Sequence, residues 1–325
     1  KVKKEYLYNA ESVSEEAVTY FFDLAMAQAD YKLALDNVAT TDTLYAIGEQ
    51  RQKIAAISQA DLLTLKLDKV NARNTLRNAE ITRKRAMSAL ATFLNLDRNS
   101  YIEIDLPARP RYIDVSADHA MTLARENNPT YLAQRQNVLE AERDVDRTKK
   151  ESRFNASFNA SVGFNQVADN ISAAYRNLLQ QDLVSFTVSV PLVDWGVRKG
   201  KYNMAKNNLN VVKIAARQEE ISLEEDVMMT VSDFSVQQDL IASAEEALDL
   251  AELAYDQTRK RFIIGKADIN SLTLALNRQQ EAQKNYIQAM QNYWLNYYKI
   301  RKLTLFDFES GMSLSERFDF DNLRR

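Results

Sequence analysis

In two runs between residues 154 and 192 apolar and polar side chains alternate one by one, whereas over most of the rest of the chain apolar residues recur at helical spacing. In the first run Phe154, Ala156, Phe158, Ala160, Val162 and Phe164 share one parity, and Asn155, Ser157, Asn159, Ser161, Gly163 and Asn165 take the other. In the second, Val184, Phe186, Val188, Val190 and Leu192 alternate with Ser185, Thr187, Ser189 and Pro191. Successive strand side chains point to opposite faces, so the pattern predicts two strands, about 154–166 and 183–192, each with one greasy and one neutral polar face. Each run is about ten residues long, the length a tilted strand needs to cross an outer membrane. The wet face of a soluble hairpin usually carries charge; here it holds only Asn, Ser, Thr, Gly and Pro. The parity therefore makes the apolar set lipid-facing and the polar set Asn155, Ser157, Asn159, Ser161, Asn165, Ser185, Thr187 and Ser189 lumen-facing. Two strands cannot close a barrel, and an open edge in lipid leaves backbone groups unpaired, so the hairpin implies partner chains or further strands.

The rest of the pattern is helical and repeated. Shifting the sequence by 210 residues aligns 14–97 with 224–307 without a gap: Glu15 falls on Glu225, Gln28 on Gln238, Arg51 on Arg261, Ile54 on Ile264, Leu62 on Leu272, Ala72 on Ala282 and Asp97 on Asp307. Such internal duplication sets the architecture. Each copy reads as helix, short break, helix, with breaks near 51–63 and 261–273. Ser58 and Asp268 are N-cap residues for the outgoing helices, and Ser58 with Asp61 makes a capping-box pattern. Ala72, Ala79 and Ala86 recur every seven residues, which predicts helices packed lengthwise as coiled coils. Between the copies lie an extended Pro-punctuated stretch, a helix at about 117–127, a helix from Pro129 to about 152, and the hairpin with a turn around 168–181. By the logic of duplication, a matching block of roughly 100 residues is expected ahead of Lys1.

Composition narrows the classes. The chain has 325 residues but only 6 Gly and 4 Pro, and none of either from Glu49 to Leu106 or from Lys201 to Ile264, which implies helices of roughly 90 Å. A net charge of -3 with interspersed signs gives no case for nucleic acid. Cysteine is absent, which excludes disulfides and thiol chemistry. His119 is the only histidine, so no metal site is expected, and no GxGxxG, GxxxxGK[ST] or GxSxG motif supports a cofactor or an enzyme activity. The aromatic run NYWLNYYKIRKL at 292–303 reads as core packing. No apolar run reaches the roughly 18 residues of a transmembrane helix, and the opening KVKKEYLY lacks a signal peptide's apolar segment, as in a mature or truncated exported protein.

Several of these segments resemble the TolC-like outer membrane efflux protein family. SVPLVDWGVRKGKYNMAKNNL at 189–209 is similar to its strand-to-helix junction, with Pro191, Asp194 and Gly196 at the marker positions. ARENNPTYLAQRQNVLEAERDVDRTKKESRF at 124–154 is similar to its helix entering the hairpin, and the two breaks resemble its periplasmic tips. The chain departs from the family with Asn155 in place of a Pro, Ala55 in place of the tip Gly, and Ser271 and Leu274 where the best-known members ring a closed entrance with acids. The resemblance implies a mainly α fold: a long coiled-coil helical barrel joined to a trimeric outer-membrane β-barrel shared among protomers. In this reading 1–97 is the first repeat, 98–128 an equatorial belt, 129–210 the helix, hairpin and start of a long helix, 211–307 the second repeat and 308–325 a C-terminal belt tail. It also implies a homotrimer in the bacterial outer membrane, extending into the periplasm. The activity it implies is a passive exit duct for tripartite efflux or type I secretion, working with a periplasmic adaptor (membrane fusion protein) and an inner-membrane RND or ABC pump. The tips, Arg51, Ile54, Ala55, Ser58, Asp61 and Leu62 with Arg261, Ile264, Gly265, Asp268, Ser271 and Leu272, then form the adaptor-docking surface and pore entrance. The competing reading is a soluble coiled-coil scaffold or adaptor without a pore. The uncharged polar face of the hairpin argues against it.

Overall fold

In the computed structural model, which describes residues 2–151, 153–165, 179–190 and 193–317, the Gly- and Pro-free run 201–264 is helical as far as Ile263, whereas the run 49–106 is broken at 54–58 and leaves the helix after Phe93, so no single helix of roughly 90 Å forms there. The helices are α1 (Val2–Lys53), α2 (Gln59–Phe93), α3 (Ala117–Asn127), α4 (Pro129–Glu151), α5 (Val197–Ile263), α6 (Ile269–Thr304) and α7 (Leu314–Arg317). Strands β1 (Asn155–Asn165) and β2 (Leu179–Ser189) form one antiparallel pair, and β3 (Phe306–Asp307) and β4 (Met312–Ser313) another. Pro129 opens α4 at a position where its missing N–H costs nothing. No described helix is long and apolar enough to cross a membrane.

The chain divides into two units, one of Lys1–Pro129 with Leu223–Arg325 and one of Thr130–Ser222. In the first, α1 packs against both α2 and α6. Val227, Val231, Phe234 and Ile241 of α5 are buried in its core, as are Ile287, Met290, Tyr293, Tyr297 and Ile300 of α6. The Phe234 ring lies 5.0 Å from that of Tyr293 and 6.0 Å from that of Tyr297. The aromatic run at 292–303 thus supplies core.

The end of α6 is held by polar groups. Asn127 Nδ2 donates to the Thr304 carbonyl at 3.0 Å and Asn128 Nδ2 to the Leu303 carbonyl at 3.5 Å, covering acceptors that every helix C-terminus leaves free. Buried Glu11 accepts from Arg301 at 2.9 Å, while buried Asp307 accepts from Tyr297 at 2.5 Å and pairs with Arg317 at 2.9 Å. Burial raises the Glu11 pKa. Burial also pushes at Asp307, but the Tyr297 hydroxyl, nearby N–H groups and Arg301 outweigh it and hold that carboxyl below the ordinary range. These contacts bind the segment after α6 to α1 and α6, where Leu7, Leu305 and Leu314 form a small apolar cluster.

Residues 101–116 run extended, without regular secondary structure. Two glutamines pin them. Gln238 Oε1 accepts from the Ile113 N–H at 2.7 Å and its Nε2 donates to the Ile113 carbonyl at 3.1 Å; Gln28 Oε1 accepts from the Ile104 N–H at 3.1 Å. Gln28 and Gln238 are repeat counterparts, so both copies hold the connecting segment by the same side chain. Replacing Gln238 by Leu strands a backbone donor and acceptor at a cost of about 1–3 kcal/mol, and Gln28→Leu costs less. Tryptic cleavage after Arg111 is expected to accelerate in Gln238→Leu with helicity unchanged. Wild-type cleavage rates would show that the pin is dispensable.

Candidate functional site

In the second unit, β1 and β2 pair residue for residue from Asn155↔Ser189 to Asn165↔Leu179. Directly opposed residues share a face, so Ala156/Val188, Phe158/Phe186 and Ala160/Val184 build one apolar face, and Ser157/Thr187 and Asn159/Ser185 one polar face. All of these side chains are exposed except Ser185, which is half-buried.

The strand bounds correct the expectation for the second run. β2 starts four residues earlier, at Leu179, and stops before Val190. Its extra residues, Leu179 to Asp182, break the alternation, yet the ladder with the eleven-residue β1 draws them in. Asp182 consequently stands opposite Val162 on the apolar face, and Leu183 opposite Ser161 on the polar face. Phe154 lies just outside β1. Pro191, Leu192 and residues 166–178 of the expected turn lie outside the described residues.

Beyond the hairpin, Asp194 organises the start of α5. Its Oδ1 accepts from the Gly196 N–H at 3.3 Å, and its Oδ2 from the Arg198 N–H at 2.9 Å and side-chain Nε at 2.6 Å. The Arg198 side chain first, then the N–H groups, hold the Asp194 carboxyl below its usual pKa. Trp195 and Gly196 take left-handed φ of 50° and 85°.

The two breaks of the first unit have the same construction. At the end of α1 the Ala55 N–H donates to the Gln52 carbonyl and the Ala56 N–H to the Arg51 carbonyl; at the end of α5 Gly265 donates to Phe262 and Lys266 to Arg261. This pair of bonds is a Schellman motif, which needs a left-handed residue after the helix. Ala55 (φ 54°) and Gly265 (φ 78°) supply it. Three residues later the next helix is capped. Ser58 Oγ accepts from the Asp61 N–H at 3.1 Å while Asp61 Oδ2 accepts from the Ser58 N–H at 3.0 Å; Asp268 Oδ1 accepts from the Ser271 N–H at 2.6 Å. Hydrogen bonds from Ser58 lower the Asp61 pKa, and those from Ser271 lower that of Asp268. Both caps are therefore in place at neutral pH and weaken as the pH falls through the carboxylate range.

Tertiary structure joins the two breaks through Arg51. Its Nη2 donates to the Phe262 carbonyl at 3.4 Å and its guanidinium lies 5.4 Å from the Phe262 ring centre. Arg51, Asp61, Phe262 and Asp268 line a common cavity of about 300 Å³ with Gly48 and Leu65. Ile54 and Ile264 stand at the apices, 76% and 65% exposed, and Arg261 and Ser271 are exposed as well. Leu272 differs from the expectation of a surface residue: it is 2% exposed, packed one turn inside α6 beside Thr41 and Leu44, and presents nothing to a partner. Leu62 is half-buried near Gly48 for the same reason. Sequence reasoning missed Phe262 and Gly48. A Cβ at Gly48 would come within 2.5 Å of Leu65 Cδ1, so this lone glycine inside a long helix marks where α1 and α2 approach. That isolated glycine was the available signal.

A family model described as outer membrane efflux protein matches residues 120–304. Solved structures share the fold: the outer-membrane channel OprN (TM-score 0.72, 18% identity, 93% of this chain and 68% of that one), the CmeC outer membrane channel of Campylobacter jejuni (0.71, 14%, 99% and 67%) and the outer membrane protein VceC of Vibrio cholerae (0.69, 15%, 93% and 72%). No curated protein matches the sequence significantly.

The mismatch between the two Schellman motifs yields a paired test. An L-residue in the left-handed region costs roughly 1 kcal/mol relative to glycine. Ala55→Gly is expected to raise, and Gly265→Ala to lower, the free energy of unfolding by about that amount, read as opposite shifts in Tm. Shifts of the same sign would mean that the motif does not govern the breaks.

Proposed function

The chain belongs to the outer membrane efflux protein family, and on that premise we propose that it forms a passive, trans-envelope exit duct as a homotrimer. The observation that carries this reading is the hairpin. One face offers Phe158, Phe186, Val184 and Val188 to the surroundings, and the other carries uncharged polar groups at Ser157, Asn159, Ser185 and Thr187. The first suits lipid and the second a water-filled lumen. Only two strands pair in this sheet among the described residues, so its outer edges need strands from elsewhere.

The duplication supports a second copy of this chain as the partner. Within the chain, α6 meets α1 through a surface that mixes apolar residues, Leu272 and Leu276 of α6 and Ala34 and Leu44 of α1, with a row of polar ones. Thr273, Asn277, Gln280 and Lys284 face Asp30, Leu33, Asn37 and Thr40, with Lys284 Nζ 3.1 Å from Asp30 Oδ1. Shifted by 210 residues, the α6 row becomes Leu63, Leu67, Val70 and Asn74 on α2, and the α1 positions become Leu240, Ser243, Ala247 and Leu250 on α5. Leu63, Leu67, Val70, Leu240 and Leu250 are large apolar residues between 47% and 60% exposed. Repeating the internal contact between α5 of one protomer and α2 of the next covers both rows. A head-to-tail contact of this kind closes into a ring when its rotation allows.

The exposed apices at Ile54 and Ile264, with Arg261 and Ser271, form the docking surface for a periplasmic adaptor coupled to an inner-membrane RND or ABC pump, which supplies the energy for efflux or type I secretion. Leu62 and Leu272 take no part. Residues 98–128 and 308–325 serve as the belt.

An arginine facing lipid at mid-membrane costs about 2–4 kcal/mol, whereas one facing a lumen costs little. Phe158→Arg and Val188→Arg are expected to abolish the SDS-resistant trimer in a heat-modifiability gel, and Asn159→Arg and Thr187→Arg to leave it intact with altered conductance. Position 162 is a poor probe because Asp182 stands across from it. Equal assembly of both classes would overturn the membrane reading.

The seam has its own test. Leu67→Asp and Leu250→Asp, each placing a charge in the proposed contact, are expected to leave helicity near wild type and to shift crosslinked protein from trimer to monomer. Undiminished trimer in both would exclude the α2–α5 seam.

A further inference from the structure

The base of the hairpin carries a concentration of positive charge that export does not explain. Residues 147–153 and 193–202 contain seven basic side chains and two acidic ones. Arg147 and Lys150 are paired with Asp144 and Asp146 on α4, and Arg198 with Asp194. Lys199 and Lys201 are exposed and meet no carboxylate among the described residues. Lys149 from α4 and Arg198, Lys199 and Tyr202 from α5 converge on one open concavity of about 420 Å³. Its single acid, Asp194, is already engaged by Arg198 and two N–H groups, so the opening faces outward with net positive charge.

Beside these cations stands an apolar group with no partner. Trp195 is 96% exposed and sits at a left-handed φ of 50°, a backbone position that an indole does not favour. Val193 and Val197 on either side are more than half exposed, as is Val190 just past the end of β2. Passing from the strands to the helices, the surface changes from aliphatic to indole to ammonium. Indole rings favour the headgroup level of a bilayer, and clustered lysines favour anionic lipid.

We propose that this collar binds an anionic phospholipid surface, with Trp195 seated among the headgroups and Lys149, Lys199 and Lys201 facing their phosphates. The inference rests on the membrane reading of the hairpin and adds a lipid preference to it. The lysine stems lie along the apolar base while their ammonium groups reach the phosphates.

Flotation of the full chain with phosphatidylcholine vesicles, and with vesicles of phosphatidylcholine and phosphatidylglycerol in equal parts, tests it. Each basic group near an anionic surface is worth about fivefold in partitioning. The expected result is tighter binding to the mixed vesicles, weakened by salt and reduced on the order of a hundredfold in the Lys149→Gln, Lys199→Gln, Lys201→Gln triple variant. Trp195→Ala, which leaves every lysine in place, is expected to lose the blue shift of tryptophan emission that mixed vesicles produce in the wild type. Equal binding of the wild type to both vesicle types overturns the collar and leaves the hairpin reading standing. Failure to bind either type overturns the hairpin reading and the collar with it. Release from mixed vesicles by millimolar inorganic phosphate, at matched ionic strength, would assign the cavity to the free anion and overturn a lipid surface. Should the triple variant not fold, the salt dependence of the wild type and the Trp195→Ala emission decide the matter alone.

Discussion

A backbone N–H or C=O without a partner is tolerable in water and costs several kcal/mol in lipid. The β1–β2 pair confronts the protein with that constraint, because its apolar face suits lipid while its outer edges, among the described residues, have nothing to bond. Only closure with further strands removes it, and in the proposed duct those come from assembly. On that proposal the exposed leucines on α2 and α5, the bare apices at the helix breaks and the charged collar at the hairpin base are surfaces that assembly would complete.

The duplication shows which surfaces those are. Where the two copies do the same job they keep the same chemistry. Gln28 and Gln238 pin the same extended segment, and both breaks combine a Schellman motif with a side-chain cap. Where the jobs differ, so do the residues. The seam inside the chain mixes polar and apolar residues, with Asp30 and Lys284 paired across it. Five of its eight counterpart positions are leucine or valine, which in the proposed trimer suits a contact that recruits a separate molecule and offsets the entropy of association.

Polar contacts also decide the geometry at the end of α6. The half-buried Arg301, set between buried Glu11 and buried Asp307, contributes little net stability compared with an apolar substitute, since desolvation offsets the attraction. Its value is directional. Together with Asn127 and Asn128 on the last carbonyls, it specifies where the chain turns after α6 and which side of α1 it meets.

Local rules were enough for part of this molecule. The parity of 154–165, the caps at Ser58 and Asp268, the gapless repeat and the helical nature of the Gly- and Pro-free run 201–264 are consequences of periodicity and of single-residue conformational preference, and the sequence alone determined them. The lower end of β2 was not legible, because Gln180, Gln181 and Asp182 carry no alternation and are drawn into the strand by pairing with β1. Nor was the burial of Leu272, since a helical period says that a face is covered without saying by what. The union of the two breaks through Arg51 and Phe262 depends on residues 211 positions apart. Such contacts are set by which helices lie side by side, a choice made by the summed packing of α1, α2 and α6, and only the tertiary structure decided it.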